Sequence, residues 1–371
     1  SSSVLSSAKL SSKYALGIDL GTMFSCLAVC GWDNKVEVIR DSFGSVSLPN
    51  AVAITPTGII AGEEALSHPD VILSPGAQIN DPSLPQPSAK YNAEELLSVS
   101  VRGMVTNAEQ FLGFRPKNAV VSVPPYFSQR TKDAIAISEL NATRLVNKPT
   151  CVALAYGLQG RSSTISKSTT MRFIVVDSGA TSSTVSLMEV DDGVFELLAT
   201  QHCSKGGNTI TDNLTQILCE KLKLHLSSSD HKWKSLWKQC EDAKTHQLNT
   251  EFRAQLSVEF EDGQFIPFEL SRIGLQEASK EVIHFIQTSI NNVLQQTSTQ
   301  PSDIEYILLS GGSTLLPGFS EYIQDSATGL PKPKMDIDPR VVIAHGAAQQ
   351  CASLTGTSSQ ISCDILRLVV T

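Results

Sequence analysis

Residues 17–29, GIDLGTMFSCLAV, and residues 175–187, VVDSGATSSTVSL, repeat one pattern in the two halves of the chain. In each copy an apolar strand ends at Asp-x-Gly, and a second apolar run follows the turn. Such a turn offers a carboxylate and accessible backbone N–H groups, which suit phosphate binding. The repeat therefore predicts two phosphate-binding hairpins, one from each half. Chance similarity is the alternative, because Asp-x-Gly is a common turn sequence, and a third glycine turn at Gly311-Gly312 makes chance less attractive.

Strands alternate with helices around these turns. Residues 92–113 place apolar side chains at a helical period between two capping residues, Asn92 and Gly113. Residues 74–90 contain four prolines and are predicted to be a loop. The remaining pattern predicts strands at 14–20, 26–30, 35–40, 50–55, 118–123 and 194–202, and helices at 131–140, 211–226, 275–296 and 341–356. Residues 304–318 are predicted to form a strand, a glycine turn and the start of a helix. This order is typical of an α/β fold with mixed sheets.

Length, composition and net charge limit the classes of protein to which the chain can belong. The chain has 371 residues, 41% of them hydrophobic, which is enough for a large core in two domains or lobes. Its net charge of −8 argues against direct nucleic-acid binding, which needs an excess of Lys and Arg. No apolar run is long enough to predict a membrane span.

The cysteines and the N-terminal residues indicate the cellular compartment in which the protein is expected. The eight cysteines form no C-x-x-C pair, which favours a reducing compartment and argues against a structural metal. We therefore expect a cytoplasmic protein. The Ser-rich residues 1–13 are predicted to be a disordered leader. A transit-peptide remnant is the alternative, and it would place the protein in the mitochondrial matrix.

An ordered set of motifs along residues 14–360 resembles the nucleotide-binding domain of the Hsp70 chaperone family, within the actin/hexokinase/Hsp70 fold. Besides the two hairpins, the motifs are VSVPPYFSQRTKDA (121–134), LVNKPTCVALAYGL (145–158), GGNTITDNL (206–214), CEDAK (240–244), LLSGGSTLLPG (308–318) and DPRVVIAHGAA (338–348). The resemblance implies a two-lobed actin-like ATPase fold with a central nucleotide cleft. Lobe I would comprise residues 14–160 and 338–360, and lobe II residues 161–337.

The resemblance also implies a site for ATP or ADP with Mg²⁺. Asp19 and Asp177 would hold the metal through its water shell. The candidate catalytic residues are Asp19, Asp177 and Lys148, the last as a departure from the family pattern. The residues implied to contact the nucleotide are Gly21, Thr22, Met23, Gly179, Ala180, Gly206, Gly207, Glu241, Lys244, Gly311, Gly312 and Ser313. For Glu241 and Lys244, an exposed salt-bridge face is the alternative.

Several positions depart from the family pattern. The small subdomain of the first lobe should follow GEEAL (62–66) but is largely missing, together with the lysine that contacts the γ-phosphate. Losing one such electrostatic contact costs about two to three orders of magnitude in rate. Lys148 stands where the resemblance implies a glutamate, and it either replaces the lost cation or impairs the switch between the lobes. The other replaced positions are Ala180, Thr181, Thr184, Leu315 and Arg340.

These departures predict a divergent Hsp70-like ATP-binding protein with weak or no hydrolysis, acting as a co-chaperone or scaffold. The alternatives are an active ATPase with a rebuilt site and a nucleotide-free structural subunit of a larger assembly. The implied partners are a J-domain protein, a nucleotide-exchange factor or a larger assembly. Residues 361–371 resemble the interdomain linker of the family, and a plain C-terminal strand is the alternative.

Overall fold

The computed structural model describes residues 13–357 except 81–82, 117, 126–127, 160, 162, 164–168, 261–262 and 325–328. The expected linker-like tail and, apart from residue 13, the expected leader lie outside the described residues. The described chain forms two compact units. Unit 1 comprises the residues up to Met171, Met188–Leu197 and those from Asp336 onward, and unit 2 comprises Arg172–Leu187 and Leu198–Met335. The predicted lobe boundaries, 160/161 and 337/338, stay predictions.

The regular elements alternate along the chain. In order, the strands are β1 (Tyr14–Asp19), β2 (Phe24–Gly31), β3 (Val36–Ile39), β4 (Leu48–Pro49), β5 (Ala51–Thr55), β6 (Gly58–Ala61), β7 (Val71–Leu73), β8 (Ala119–Val123), β9 (Ala142–Asn147), β10 (Met171–Ser178), β11 (Ser183–Asp191), β12 (Val194–Cys203), β13 (Arg253–Glu259), β14 (Phe265–Ser271), β15 (Ile304–Ser310) and β16 (Pro333–Lys334). The α-helices are α1 (Glu63–Leu66), α2 (Ala77–Asn80), α3 (Ala93–Leu112), α4 (Gln129–Ile137), α5 (Lys148–Ala155), α6 (Gly207–Leu222), α7 (His231–Asp242), α8 (Leu248–Thr250), α9 (Arg272–Gln296), α10 (Phe319–Gln324) and α11 (Val342–Thr355). A π-helical turn spans Ala243–Gln247, and 3₁₀ turns span Pro301–Asp303 and Gly312–Leu315.

Unit 1 is built on a mixed sheet with the order β3-β2-β1-β8-β9, and β4 also pairs with β2. β2 runs antiparallel to β1 and β3, whereas β1, β8 and β9 are mutually parallel. Helix α11 packs on β1, β2 and β8 and on helix α5. A Cβ on Gly346 of α11 would lie 1.8 Å from the Cys151 carbonyl oxygen of α5, so these helices approach each other through a glycine.

Unit 2 contains most of a sheet with the order β12-β11-β10-β15-β16. β15 runs parallel to β10 and to β16. The apolar core of this unit joins the central strands to α6 and α9, with Ile174, Leu214 and Ile286 fully buried. β13 and β14 form a separate antiparallel hairpin. The α/β architecture with mixed sheets predicted from the sequence is confirmed.

Local signals fix helix α3 as predicted. Asn92 and Glu95 form a reciprocal capping box, and Gly113 ends the helix in the left-handed conformation at φ 74°. The predicted loop at 74–90 is wrong at its start, because residues 77–80 form the one-turn helix α2. Burial of Ile79, which is 3% exposed in the core of unit 1, explains this ordered turn. Within the described ranges, no helix is both long and apolar enough to cross a bilayer.

Candidate functional site

The turn between β1 and β2 forms the first candidate loop. β1 ends at Asp19 and β2 begins at Phe24, so residues 20–23 reverse the chain. A Cβ on Gly21 would lie 1.9 Å from the Phe24 carbonyl oxygen, so only glycine fits this point of the turn. The predicted residues Gly21, Thr22 and Met23 therefore lie together in a tight reversal next to Asp19.

Asn50, which lies directly before β5, holds this loop by hydrogen bonds. Its Nδ2 donates to the Gly21 carbonyl oxygen at 2.6 Å, and its backbone N–H donates to the Met23 carbonyl oxygen at 2.7 Å. Its Oδ1 accepts from the Ser25 hydroxyl at 3.1 Å. Asn50 is only 1% exposed, so these bonds are shielded from water. Asn50 is not among the residues predicted from the sequence, where its only signal is a polar residue directly before the apolar strand β5.

Asp19 and Lys148 form an ion pair beside this loop. Lys148 Nζ lies 2.9 Å from Asp19 Oδ1, and the Ser122 hydroxyl donates to the same oxygen at 2.8 Å. β1, β8 and β9 are parallel neighbours, with Asp19 in register with Ser122, so their carboxyl ends meet at one edge of the sheet. Lys148 is the first residue of α5, directly after β9. Its positive charge is unfavourable at a helix N-terminus, and the Asp19 carboxylate compensates for it.

Two buried thiols lie near this ion pair. Burial raises the pKa of Cys26 and of Cys151 far above the ordinary value, and the Asp19 charge raises both further. Both thiols are therefore protonated at neutral pH. They supply no thiolate nucleophile.

The second candidate loop lies in unit 2, where β10 turns into β11. The Gly179 N–H donates to the Ser182 carbonyl oxygen at 2.9 Å and closes the turn. The carbonyl oxygens of Gly179 and Ala180 accept from the N–H groups of Gly207 and Asn208, at 2.9 and 2.7 Å. The loop therefore packs directly onto the N-terminus of α6.

Ser313 ties a third segment to the same place. Its hydroxyl donates to the Gly179 carbonyl oxygen at 2.9 Å. A Cβ on Gly207 would lie 2.7 Å from Ser313 Oγ, and a Cβ on Gly206 would lie 2.6 Å from the Gly179 carbonyl oxygen. Gly311 has φ 85°, and its Cβ would lie 2.2 Å from the Ser178 carbonyl oxygen. These glycines are thus required by the packing of the chain against itself, whether or not a ligand approaches them.

Lys244 and Glu241 form a network with Thr211 at the start of α6. Lys244 Nζ lies 2.7 Å from Glu241 Oε2 and donates to Thr211 Oγ1 and to the Gly207 carbonyl oxygen, each at 2.8 Å. Burial lowers the pKa of Lys244, while Glu241 opposes that shift. Lys244 is 4% exposed, so the alternative of an exposed salt-bridge face is wrong for it. The Glu241 side chain is 29% exposed and keeps a surface that can accept from a ligand hydroxyl.

The remaining predicted positions also fall at strand ends and turns. Asp177 lies near the end of β10 and is in register with Ser310 of β15. Ser310 directly precedes Gly311 and Gly312. Among the departures from the family pattern, Thr184 is 7% exposed and its hydroxyl lies 3.3 Å from His202 Nδ1. Arg340 forms a two-pronged hydrogen-bonded ion pair with Asp338. The structure brings together Asp19, Lys148 and the first loop in unit 1, and the second loop, Lys244 and Ser313 in unit 2.

The chain matches known proteins over nearly its whole length. Residues 15–72 and 76–369 match the family model described as Hsp70 protein. The chain belongs to the Hsp70 family. Its relatives include Heat shock cognate 70 kDa protein 3 of Dictyostelium discoideum, 30% identical over 94% of this chain and 62% of the relative. Heat shock 70 kDa protein of Neurospora crassa is 29% identical over 96% of this chain and 61% of the relative.

A further Hsp70 relative, Heat shock 70 kDa protein 2 of Paracoccidioides lutzii, is 28% identical over 96% of this chain and 60% of the relative. The chain therefore spans about three fifths of the length of these relatives. Hsp70 membership implies nucleotide binding, and Hsp70 proteins typically work with J-domain proteins and nucleotide-exchange factors.

The magnesium that Hsp70 membership implies does not fit the residues around Asp19. The Lys148 ammonium already bonds to the Asp19 carboxylate, so a second cation there would be repelled and would have to displace it. In the described part of the chain no three His, Cys, Asp or Glu side chains cluster as metal ligands. The role of Asp177 toward a metal stays a prediction, as do the nucleotide contacts of the two loops.

Proposed function

We propose that this Hsp70-family chain binds ATP or ADP through its glycine loops, hydrolyses ATP weakly or not at all, and serves as a co-chaperone or scaffold. Family membership supports nucleotide binding. The partner we propose is a J-domain protein or a nucleotide-exchange factor, or alternatively a larger assembly. The proposed setting is a reducing compartment, the cytoplasm, with the mitochondrial matrix as the alternative.

The shortened segment between α1 and α3 carries the proposal of weak hydrolysis. Its described residues contain only the three-residue strand β7 and the four-residue helix α2 as regular elements. The match to the Hsp70 model is interrupted in this segment, between residues 72 and 76. The alignment to the Dictyostelium relative is 400 positions long although this chain has 371 residues, so some positions of the relative face gaps.

Lys90 is the only lysine between residues 67 and 91. Its side chain is exposed, and Nζ lies 5.1 Å from the centroid of the Tyr91 ring. This surface contact argues that Lys90 does not replace the missing γ-phosphate lysine. Phosphoryl transfer depends on such positioned cations, because the protein mainly stabilises charge in the transition state. We therefore expect ATP to be held and turned over slowly.

Calorimetric titration with ATP and with ADP tests nucleotide binding. Gly21→Ala places a Cβ 1.9 Å from the Phe24 carbonyl oxygen, so it distorts the first loop and is expected to abolish binding. Gly103→Ala is the matched control, because its Cβ would approach only the Ala61 side chain, at 3.4 Å. Absence of heat from the wild-type chain with both nucleotides would overturn the proposal in favour of a nucleotide-free subunit.

Refolding of a denatured substrate by a conventional Hsp70 and J-domain protein tests the co-chaperone role. We expect the wild-type chain to raise the yield of refolded substrate and Gly21→Ala to raise it much less, while Gly103→Ala behaves as wild type. If all three additions leave the yield at the level without the chain, the co-chaperone role is wrong even where nucleotide binds.

One observation favours the second candidate, an active ATPase with a rebuilt site. Lys148 places an ammonium beside the first loop. If that group stabilised the transition state, Lys148→Ala would lower a measurable turnover by about two to three orders of magnitude. Turnover at the uncatalysed background in the wild-type chain would rule this candidate out.

A further inference from the structure

The first loop has its own fixed cation. Lys148 Nζ contacts Asp19 Oδ1 at 2.9 Å, and the two side chains are only 14% and 15% exposed. The Lys148 ammonium and the Ser122 hydroxyl both contact Oδ1 of the Asp19 carboxylate. The carboxylate is therefore neutralised and oriented by the protein itself.

The position of Lys148 is fixed by the chain on both sides. Asn147, the last residue of β9, is 2% exposed, and Pro149 follows within the first turn of α5. β9 is held in register with β8, which in turn is in register with β1. Moving the ammonium outward would leave the mostly buried Asp19 carboxylate without its ionic partner, which is strongly unfavourable. The ion pair therefore belongs to the folded state of unit 1.

The net charge of the Asp19–Lys148 pair determines whether the first loop attracts a further cation. A free aspartate at a phosphate loop carries one negative charge and attracts a hydrated divalent ion. The Asp19–Lys148 pair has no net charge, and its ammonium repels a further cation. An ammonium also carries three N–H donors and is a common point-charge partner for phosphate.

We propose that Lys148 takes the place of the divalent cation at the first loop, so that this chain binds nucleotide di- and triphosphates without magnesium. The proposal rests on the proposed nucleotide binding and adds its cation requirement. Asp19 acts here as a positioning residue, because it holds the ammonium beside the loop. The family-implied water-shell contact from Asp19 to magnesium is then absent.

Calorimetric titration with ADP, in excess MgCl₂ and in EDTA, tests the proposal without any hydrolysis. The expected wild-type dissociation constants in the two buffers agree within about threefold. Lys148→Gln is expected to weaken ADP binding in EDTA by about tenfold or more, because a charge-assisted contact is lost. Magnesium should recover part of that loss, because the Asp19 carboxylate is no longer neutralised.

Lys35→Gln is the matched control, since Lys35 also pairs with an aspartate, Asp33, but its side chain is 86% exposed. It should bind ADP as wild type does in both buffers. Thermal unfolding with ADP gives a second readout, and the wild-type midpoint should rise equally in MgCl₂ and in EDTA. The wild-type comparison does not depend on the stability of Lys148→Gln.

Wild-type binding that is strong in MgCl₂ and lost in EDTA would overturn the inference and leave the proposed function intact. Equal ADP binding by Lys148→Gln and wild type in EDTA would overturn the role of Lys148. No ADP binding in either buffer would overturn both the inference and the proposed function.

Discussion

The Asn50 side-chain amide donates a hydrogen bond to the Gly21 carbonyl oxygen, 2.6 Å away and 29 residues earlier in the chain. This bond joins the residue directly before β5 to the first loop. The loop is therefore shaped by a buried side chain from outside the glycine motif, and its geometry depends on Asn50 as much as on Gly21.

Asn50→Ala should loosen the first loop. The change removes the bonds to Gly21 and Ser25 and leaves buried polar groups unsatisfied, at a cost of about 1–3 kcal/mol in the free energy of unfolding. Urea unfolding measures that cost, and nucleotide titration should show weaker binding. Asn141→Ala, which removes an exposed bond to Asn118, is the control and should change neither. We call the contacts of Asn50 with the first loop the Asn50 clamp. Equal effects of the two variants would contradict it.

The Asp19–Lys148 pair should behave as a coupled unit in unfolding. Asp19→Asn or Lys148→Gln alone breaks a mostly buried ion pair, at a cost of about 3 kcal/mol in the free energy of unfolding. The double variant should cost less than the sum of the two, because it leaves no isolated charge. A double-mutant cycle by urea unfolding measures the coupling. Additive losses would show that the two side chains do not interact.

Gly346→Ala should destabilise unit 1 severely. Its Cβ would lie 1.8 Å from the Cys151 carbonyl oxygen, so α11 must move away from α5. We expect a loss of about 3 kcal/mol or more, which is typical of overpacking at a tight contact. Gly103→Ala, also inside a helix, should be neutral or stabilise by up to about 1 kcal/mol through helix propensity. Thermal unfolding of both variants tests this expectation. A wild-type midpoint for Gly346→Ala would contradict the close approach of α11 to α5.

Because the Cys240 thiol is buried, we expect the free energy of unfolding to fall at alkaline pH. Burial raises its pKa from 9.0 to about 12, with the Thr215 hydrogen bond opposing the shift. The unfolded state therefore loses this proton first, and the stability that the neutral thiol contributes is full below pH 9 and is lost as pH rises toward 12. Cys240→Ala should reduce the fall in unfolding free energy between pH 8 and 10 by about 1 kcal/mol. Urea unfolding at these pH values tests this, and identical falls in both proteins would contradict it.

Sequence patterns predict the elements whose signals are local. Helix α3 is bounded by Asn92 and Gly113 as expected, since capping depends on residues three or four apart. The hairpin β13–β14 is not among the elements predicted above, although the alternation of Ala254, Leu256 and Val258 is a local signal typical of a half-buried strand. The one-turn helix α2 has no such signal, because burial of Ile79 in the core of unit 1 fixes it.

The candidate site is less predictable, because its contacts join distant residues. The Asp-x-Gly repeat predicts both loops, but the pairing of Asp19 with Lys148 depends on the register of three parallel strands. The clamp by Asn50 depends on how β5 meets the first loop. The burial of Lys244 likewise follows from the packing of the π-helical turn against the start of α6.

Single-turnover hydrolysis of γ-labelled ATP, with and without a J-domain protein, tests the central claim most directly. The chain is used in excess over ATP so that all nucleotide is bound, as established beforehand by titration. We expect labelled phosphate to be released at close to the uncatalysed rate in both reactions, because we propose that no lysine of the segment between α1 and α3 reaches the γ-phosphate. Rapid release that a J-domain protein accelerates would contradict the account and establish an active Hsp70 ATPase.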